Sequence, residues 1–157
     1  MRAALAALAH EAQARSGGRA AVPANIHLTL FFVGNVERQR SVALEEAAGE
    51  VRGASFELAI DCVGYWRHNR IVWAGPAACP PALIELESSL REALARLGVH
   101  GDTRPYAPHI TLVRDAARKP GPAVFAPLAW QVREFVLVES VPRAGGVSYE
   151  PRARWRL

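Results

Sequence analysis

The chain is poor in the residues that build several common kinds of site. Cysteine occurs twice in 157 residues, at Cys62 and Cys79, and neither belongs to a C-x-x-C or other metal-spaced pattern. This scarcity predicts reduced thiols in a cytoplasmic protein and argues against a disulfide framework. No stretch approaches the roughly 18 continuous apolar residues of a membrane span, so we expect a soluble protein with no membrane partner.

Lysine is almost absent as well. Lys119 is the one lysine among 19 basic residues, and against 15 acidic residues they leave a net charge of +4. An excess of arginine favours an anionic partner, because cationic surface attracts phosphate-bearing ligands. Coding bias toward alanine and arginine would produce the same excess, so the charge supports a phosphate ligand without establishing one.

Periodicity predicts an α+β fold in which helices and strands interleave. We expect helices at residues 2–15, 37–51 and 80–97. We expect strands at residues 25–33, 56–63 and 71–75, from His109 onward, and at residues 130–140 and 147–157. The pattern falls into two rough halves without a linker, which indicates one domain over residues 1–157 made of two similar lobes.

Threonine is also scarce, and its placement is unusual. Two of the three threonines follow a histidine by two residues and precede a leucine, as His27 with Thr29 and His109 with Thr111. Free scattering of five histidines and three threonines would produce such a pair about 0.1 times in a chain of this length. Chance is therefore a poor explanation.

Each motif lies in a predicted strand, where residues i and i+2 share a face. Each strand then presents one imidazole and one hydroxyl on the face opposite its buried side chains. In-line displacement at phosphorus needs a general base and a general acid on opposite sides, and two histidines on facing strands meet that need. The hydroxyls can donate to the oxygens on which negative charge develops.

Two other kinds of site fit less well. A zinc site needs a third protein ligand, and no further His, Cys or carboxylate stands at ligand spacing. A serine hydrolase of the G-x-S-x-G type is disfavoured because that motif is missing. Either histidine alone would more often be a hydrogen-bonded core residue, but a repeated polar pair on apolar strands has no packing reason to recur.

The segments HLTL (residues 27–30) and HITL (residues 109–112) resemble the paired H-x-T-x signatures of the 2H phosphoesterase superfamily. The surrounding NIHLTLFFVGNV, RPYAPHITLVR and SVPRAGGVSYEPRARWRL are similar to its LigT-like branch, the RNA 2′,3′-cyclic phosphodiesterases also described as 2′-5′ RNA ligases. The similarity runs from about Arg2 to the C-terminus and is most specific at the two motifs.

The resemblance implies a bilobal fold with two antiparallel sheets facing a central cleft and helices outside. It implies hydrolysis of a 2′,3′-cyclic phosphate on RNA or nucleotide ends to a 2′-phosphate, without metal or cofactor, by a monomer. His27 would be the general acid toward the 3′ oxygen, and His109 the general base. Thr29, Thr111 and Arg114 would bind phosphate.

Arg114 raises a difficulty, because strand alternation gives it the face opposite His109. It can contribute only if the strand ends or twists there. Other contacts with base or RNA are expected from Phe31, on the His27 face, and from the basic and aromatic loop that follows residue 63. The alternative is that Phe31 packs ordinarily and the loop is a solvated turn. The loop residues singled out are Tyr65, Trp66 and Arg70.

One feature departs from the branch. Its pattern begins with an apolar strand before the first helix, whereas this sequence enters the helix at once, and we expect that strand to be encoded upstream. The motifs leave other substrates open, namely 2′-5′-linked oligonucleotides or ADP-ribose cyclic phosphate. They also leave open a non-catalytic module that binds RNA ends.

Overall fold

The computed structural model describes residues 1–123, 125–144 and 146–157, and the expected α+β architecture is present. The helices are α1 Arg2–Ser16, α2 Arg38–Glu50 and α3 Pro81–Ala95, with a short 3-10 helix at Pro23–Asn25. The strands are β1 Arg19–Ala20, β2 Phe56–Ile60, β3 Cys62–Trp66, β4 Ile71–Gly75, β5 Ile110–Arg114, β6 Leu128–Val132, β7 Glu134–Arg143 and β8 Gly146–Arg156.

The chain forms two units, each assembled from three separate segments. Unit 1 consists of Met1–Thr29, Leu58–Ala78 and Pro108–Trp130. Unit 2 consists of Leu30–Glu57, Cys79–Ala107 and Gln131–Leu157. Both His-x-Thr motifs belong to unit 1.

Unit 1 is built on an antiparallel sheet of four strands in the order β1-β5-β4-β3. Helix α1 packs on this sheet through an apolar stripe at helical spacing that includes the buried Leu5, Leu8 and Ala12. The buried side chains of β5, Ile110 and Leu112, are fully inaccessible. One face of the sheet is therefore covered by α1.

Unit 2 has its own core, where α2 packs on α3 beside the β7–β8 hairpin. Phe135 of β7 stacks on Trp155 of β8 with ring centroids 5.0 Å apart. Helix α3 ends at Ala95, and a turn that closes at Gly98 follows it. Gly98 has φ 72°, and the N–H groups of Gly98 and Val99 donate to the carbonyls of Ala95 and Leu94.

The three helices were predicted correctly apart from end residues. In α2 and at the residue after it, Leu44, Ala48 and Val51 form the buried stripe, while Val42 is 59% exposed. A stripe through Leu44 and Ala48 follows the i, i+4 spacing of a helix, and Val42 lies off it.

The predicted strand at residues 56–63 is broken in two at Asp61. The Asp61 N–H donates to the carbonyl of Gly75, and its Oδ1 accepts the N–H of Ala77 at 2.6 Å. Asp61 is therefore bonded to the end of β4 and to the residues that follow it. Strand β2 ends before Asp61, and β3 begins after it. Strand β3 then runs through Trp66, and the predicted loop shrinks to a turn of residues 67–70.

The predicted strand at residues 25–33 is wrong. Asn25 ends the 3-10 helix, and the only pairing in this stretch, within the described residues, is an isolated antiparallel bridge between Leu28 and Ile110. The same edge of β5 is already paired with β1 near its other end, and the Ala21 N–H donates to the carbonyl of Leu112. The 3-10 turn intervenes between the two contacts, so pairing resumes at Leu28 alone.

No helix in the described part of the chain is long and apolar enough to cross a membrane.

Candidate active site

The Leu28–Ile110 bridge brings the two motifs together. In an antiparallel register it places His27 opposite Thr111 and Thr29 opposite His109. Leu28 and Ile110 point to the side of the sheet that α1 covers, so the four polar side chains share the other side. Diagonal neighbours of this kind lie about 7–8 Å apart, so we expect a similar spacing between the two histidines.

His27 is exposed and is oriented by its own segment. Its Nδ1 lies 2.6 Å from the carbonyl oxygen of Asn25. A carbonyl oxygen can only accept, so Nδ1 carries the proton that it donates, and proton transfer to or from a substrate would use Nε2. The 3-10 turn that interrupts the predicted strand thus supplies the carbonyl that orients this imidazole.

His109 is half-buried and lies against an aromatic side chain. The Trp66 ring meets the His109 ring edge-on, with centroids 4.5 Å apart and an interplanar angle of 73°. Trp66 in turn lies 5.4 Å from the ring of Trp73, which stands opposite Thr111 across β4 and β5. Gly64 makes room for this arrangement, because a Cβ there would lie 2.1 Å from the Trp73 ring.

Arg114 is on the same face as the motif residues because of a β-bulge. On β5 the partners of Trp73 and Val72 are Thr111 and Val113, so Leu112 is an extra residue. Leu112 and Val113 are both completely buried, as expected when a bulge places two successive side chains on one side. Alternation then restarts, and Arg114 returns to the side of His109 and Thr111.

The three loop residues predicted to contact base or RNA do not lie together. Trp66 lies on the face that carries His109, as described above. Tyr65 pairs with the buried Val72 and therefore points to the opposite face of the sheet. Arg70 is exposed in the turn after β3, 3.4 Å from the carboxylate of Asp115.

Phe31 belongs to unit 2, where its ring packs against the core. A Cβ on Gly101 would lie 2.6 Å from this ring, and the guanidinium of Arg91 sits 5.6 Å from the ring centroid. Arg91 is held by Glu87, whose Oε1 accepts from Nε at 2.9 Å. These contacts favour the packing interpretation of Phe31.

Sequence reasoning missed two residues on this face. Arg19 is the direct partner of Arg114 across β1 and β5, and it contacts Asp115 at 2.5 Å. The hydrogen bond from Arg19, supported by the charges of Arg19 and Arg70, lowers the pKa of the Asp115 carboxyl. Trp73 has a buried Nε1 with no hydrogen-bond partner among the described residues. The alternation of Trp73 with Val72 along β4 is the sequence signal that could have placed Trp73 on this face.

The described residues contain no group of three or more His, Cys, Asp or Glu side chains placed to hold a metal ion.

Known proteins resemble this chain over most of its length. Residues 2–142 match the profile of the 2′-5′ RNA ligase superfamily. The chain belongs to this superfamily. Members similar to it include proteins named RNA 2′,3′-cyclic phosphodiesterase from Escherichia coli (strain K12), 39% identical over 89% of this chain and 80% of the relative, and from Archaeoglobus fulgidus, 30% identical over 86% and 81%.

Solved structures of superfamily relatives share the fold. E. coli LigT complexed with 3′-AMP is 35% identical, with a TM-score of 0.87 over 99% of this chain and 90% of that one. A protein from Thermus thermophilus is 27% identical, with a TM-score of 0.78 over 99% and 91%. The α+β fold expected from the resemblance is thereby confirmed for this chain.

Proposed function

We propose that the protein hydrolyses the 2′,3′-cyclic phosphate at the end of an RNA or nucleotide and leaves a 2′-phosphate. The observation that carries the proposal is the Leu28–Ile110 bridge, whose register gives both His-x-Thr pairs one face. The activity named for the E. coli and A. fulgidus relatives supports the same reaction.

In the proposed reaction His109 takes a proton from a water molecule, and the water oxygen bonds to phosphorus. The bond between phosphorus and the 3′ oxygen breaks, and His27 donates a proton to that oxygen. Attacking and leaving oxygens stand on opposite sides of phosphorus, which two imidazoles spaced diagonally across the bridge can flank. The Asn25 carbonyl supports the acid role, because a hydrogen bond from Nδ1–H to a carbonyl oxygen favours the protonated imidazole and leaves proton transfer to Nε2.

Thr29 and Thr111 are proposed to donate hydrogen bonds to the non-bridging phosphate oxygens, where charge increases in the transition state. Arg114 is proposed to pair with the same phosphate, since a planar guanidinium matches phosphate geometry. The bulge at Leu112 supports this assignment, because it reverses the alternation that would otherwise turn Arg114 away.

The test replaces each histidine separately, as His27→Ala and His109→Ala. Each change is expected to lower hydrolysis of a nucleoside 2′,3′-cyclic phosphate by about 10²- to 10⁴-fold, the usual value of a general acid or base. His10→Ala, an exposed histidine of α1, is the matched control and is expected to retain wild-type turnover. Undiminished turnover in both motif variants would remove the catalytic assignment.

Phosphorus NMR of the product tests the assignment of acid and base. A 2′-phosphate supports His27 as the acid and His109 as the base, whereas a 3′-phosphate would reverse these roles. A wild-type protein that binds the cyclic nucleotide and never converts it would instead be the non-catalytic module that the sequence left open.

A further inference from the structure

Three arginines lie at the C-terminal end of β5. We define the arginine cluster as Arg19, Arg70 and Arg114, with Asp115 between Arg19 and Arg70. Arg19 and Arg114 are direct partners across β1 and β5, so their side chains leave the same face of the sheet. Asp115 contacts Arg19 at 2.5 Å and Arg70 at 3.4 Å.

Two residues of this region have left-handed backbone conformations, which are unfavourable for residues other than glycine. Among the described residues, Arg70 and Asp115 are the two non-glycine residues with positive φ, at 54° and 56°. The carbonyl of Arg70 accepts the N–H of Ala116 at 2.9 Å, so the left-handed turn residue is bonded to the residue that follows Asp115. Such conformations are unfavourable for non-glycine residues and concentrate at functional sites.

Gly18 completes this close approach of three chain segments. It has φ 86°, and a Cβ at this position would lie 2.5 Å from the carbonyl oxygen of Arg114. Only glycine therefore lets β1 come near enough to place Arg19 beside Arg114. The arginine cluster is thus held by backbone contacts as well as by side-chain ion pairs.

The charge of the arginine cluster is not balanced. The guanidinium groups of Arg19 and Arg70 share one carboxylate, which leaves one positive charge in excess before Arg114 is counted, and their side chains are 79% and 58% exposed. Asp115 orients these two arginines without neutralising them. An exposed, pre-oriented group of guanidiniums is suited to a phosphate dianion or diester, which accepts paired N–H donors.

We propose that Arg19 and Arg70 form a second phosphate subsite, which binds the phosphate on the 5′ side of the terminal nucleotide. Thr111 and Arg114 are three residues apart on β5, so the subsite begins about 10 Å along the strand from the proposed reaction centre. The inference rests on the proposed function, and it names the preferred substrate as an RNA chain end that carries a 5′ phosphodiester.

The experiment compares kcat/KM for three substrates: a nucleoside 2′,3′-cyclic phosphate, the same compound with a 5′-phosphate, and a dinucleotide ending in the cyclic phosphate. We expect the wild type to prefer the dinucleotide over the unphosphorylated nucleoside by about tenfold, the effect of one charged hydrogen-bonded contact. In the double variant Arg19→Ala/Arg70→Ala this ratio is expected to fall close to one.

The 5′-phosphorylated nucleotide separates the two sources of such a phosphate. If its kcat/KM equals that of the dinucleotide, the subsite recognises any 5′ phosphate. If the wild type prefers the dinucleotide alone, the subsite recognises RNA chains. Arg133→Ala removes an exposed arginine of unit 2 and is expected to keep the wild-type ratio. Arg19→Lys/Arg70→Lys keeps the charge and is expected to restore part of the ratio.

A wild-type ratio near one, or a ratio that the alanine variant leaves unchanged, would overturn the subsite. Circular dichroism melting of each variant checks that the fold is retained. If the wild type hydrolyses none of the substrates, the proposed function fails instead. The subsite is then tested by calorimetry with a 2′-phosphorylated nucleoside and a 2′-phosphorylated dinucleotide, and equal affinity for the two would overturn it.

Discussion

The two His-x-Thr segments are almost identical in sequence and very different in structure. Thr111 lies in β5, a strand with neighbours on both edges, and His109 immediately precedes that strand. His27 and Thr29 flank a single bridge residue, Leu28, and the segment before them is a 3-10 turn. One imidazole is half-buried against Trp66, and the other is exposed.

This contrast teaches that a motif specifies functional groups and leaves their support to the rest of the chain. The β5 segment is held by backbone pairing and an aromatic contact, whereas the His27 segment depends on the carbonyl of Asn25 and on Leu28. We therefore expect substitutions at equivalent positions of the two segments to have unequal effects.

The largest difference is expected at the two apolar residues that form the bridge. Ile110→Ala should lower the free energy of unfolding by about 2–5 kcal/mol, since its side chain is completely buried. Leu28→Ala should cost about 1 kcal/mol, because Leu28 is only partly buried. Urea unfolding measures both. Val136→Ala, at an exposed position of β7, should change little; equal losses at Ile110 and Leu28 would contradict the contrast.

The next effect concerns the two threonines. Thr111→Val should lower kcat on a cyclic nucleotide by about 10²-fold, because it removes a rigidly held donor. Thr29→Val should have a smaller effect, since its less constrained segment can adjust. Thr103→Val, the third threonine, is the control and should be silent. A larger loss from Thr29→Val would place the better-oriented donor on the weakly paired segment.

A smaller effect is expected when Trp66, the aromatic neighbour of His109, is replaced. Trp66→Leu removes an edge-on ring contact of the kind worth about 0.5–1.5 kcal/mol, which corresponds to a change in kcat/KM of about two- to tenfold. The kcat/KM on a cyclic nucleotide should fall by this factor, and Trp66→Phe should restore most of it. An unchanged kcat/KM in Trp66→Leu would show that the contact does not help to position the imidazole.

The smallest effect is expected at the end of β5. The Arg19 hydrogen bond holds the pKa of Asp115 below its ordinary value of 3.8. The stabilisation is therefore present above the unfolded-state pKa and is lost as the pH falls through the lower, folded value. Urea midpoints measured between pH 6 and about pH 2 should decline slightly less in Asp115→Asn than in the wild type. Parallel curves would mean that the ion pair adds no stability.

Much of the fold was predictable, since helix periodicity, a proline such as Pro81 at a helix start and a glycine such as Gly98 after a helix end are local signals. The face shared by His109 and Thr111 was predictable too, because alternation along a strand needs no partner. Where prediction failed, a distant contact was responsible. Asp61 breaks a strand through its bonds to Gly75 and Ala77, and β1 occupies the β5 edge that the predicted strand at residues 25–33 would otherwise have continued.

The sequence by itself determined which chemical groups are available, namely two imidazoles and two hydroxyls at a spacing of two residues. Only the tertiary structure decided where they and their helpers point. The bulge at Leu112 brings Arg114 to the site face, and strand pairing with β4 turns Tyr65 away from it. Alternation follows from the geometry of a single strand, whereas a bulge or a bridge exists only when partner strands have fixed the register.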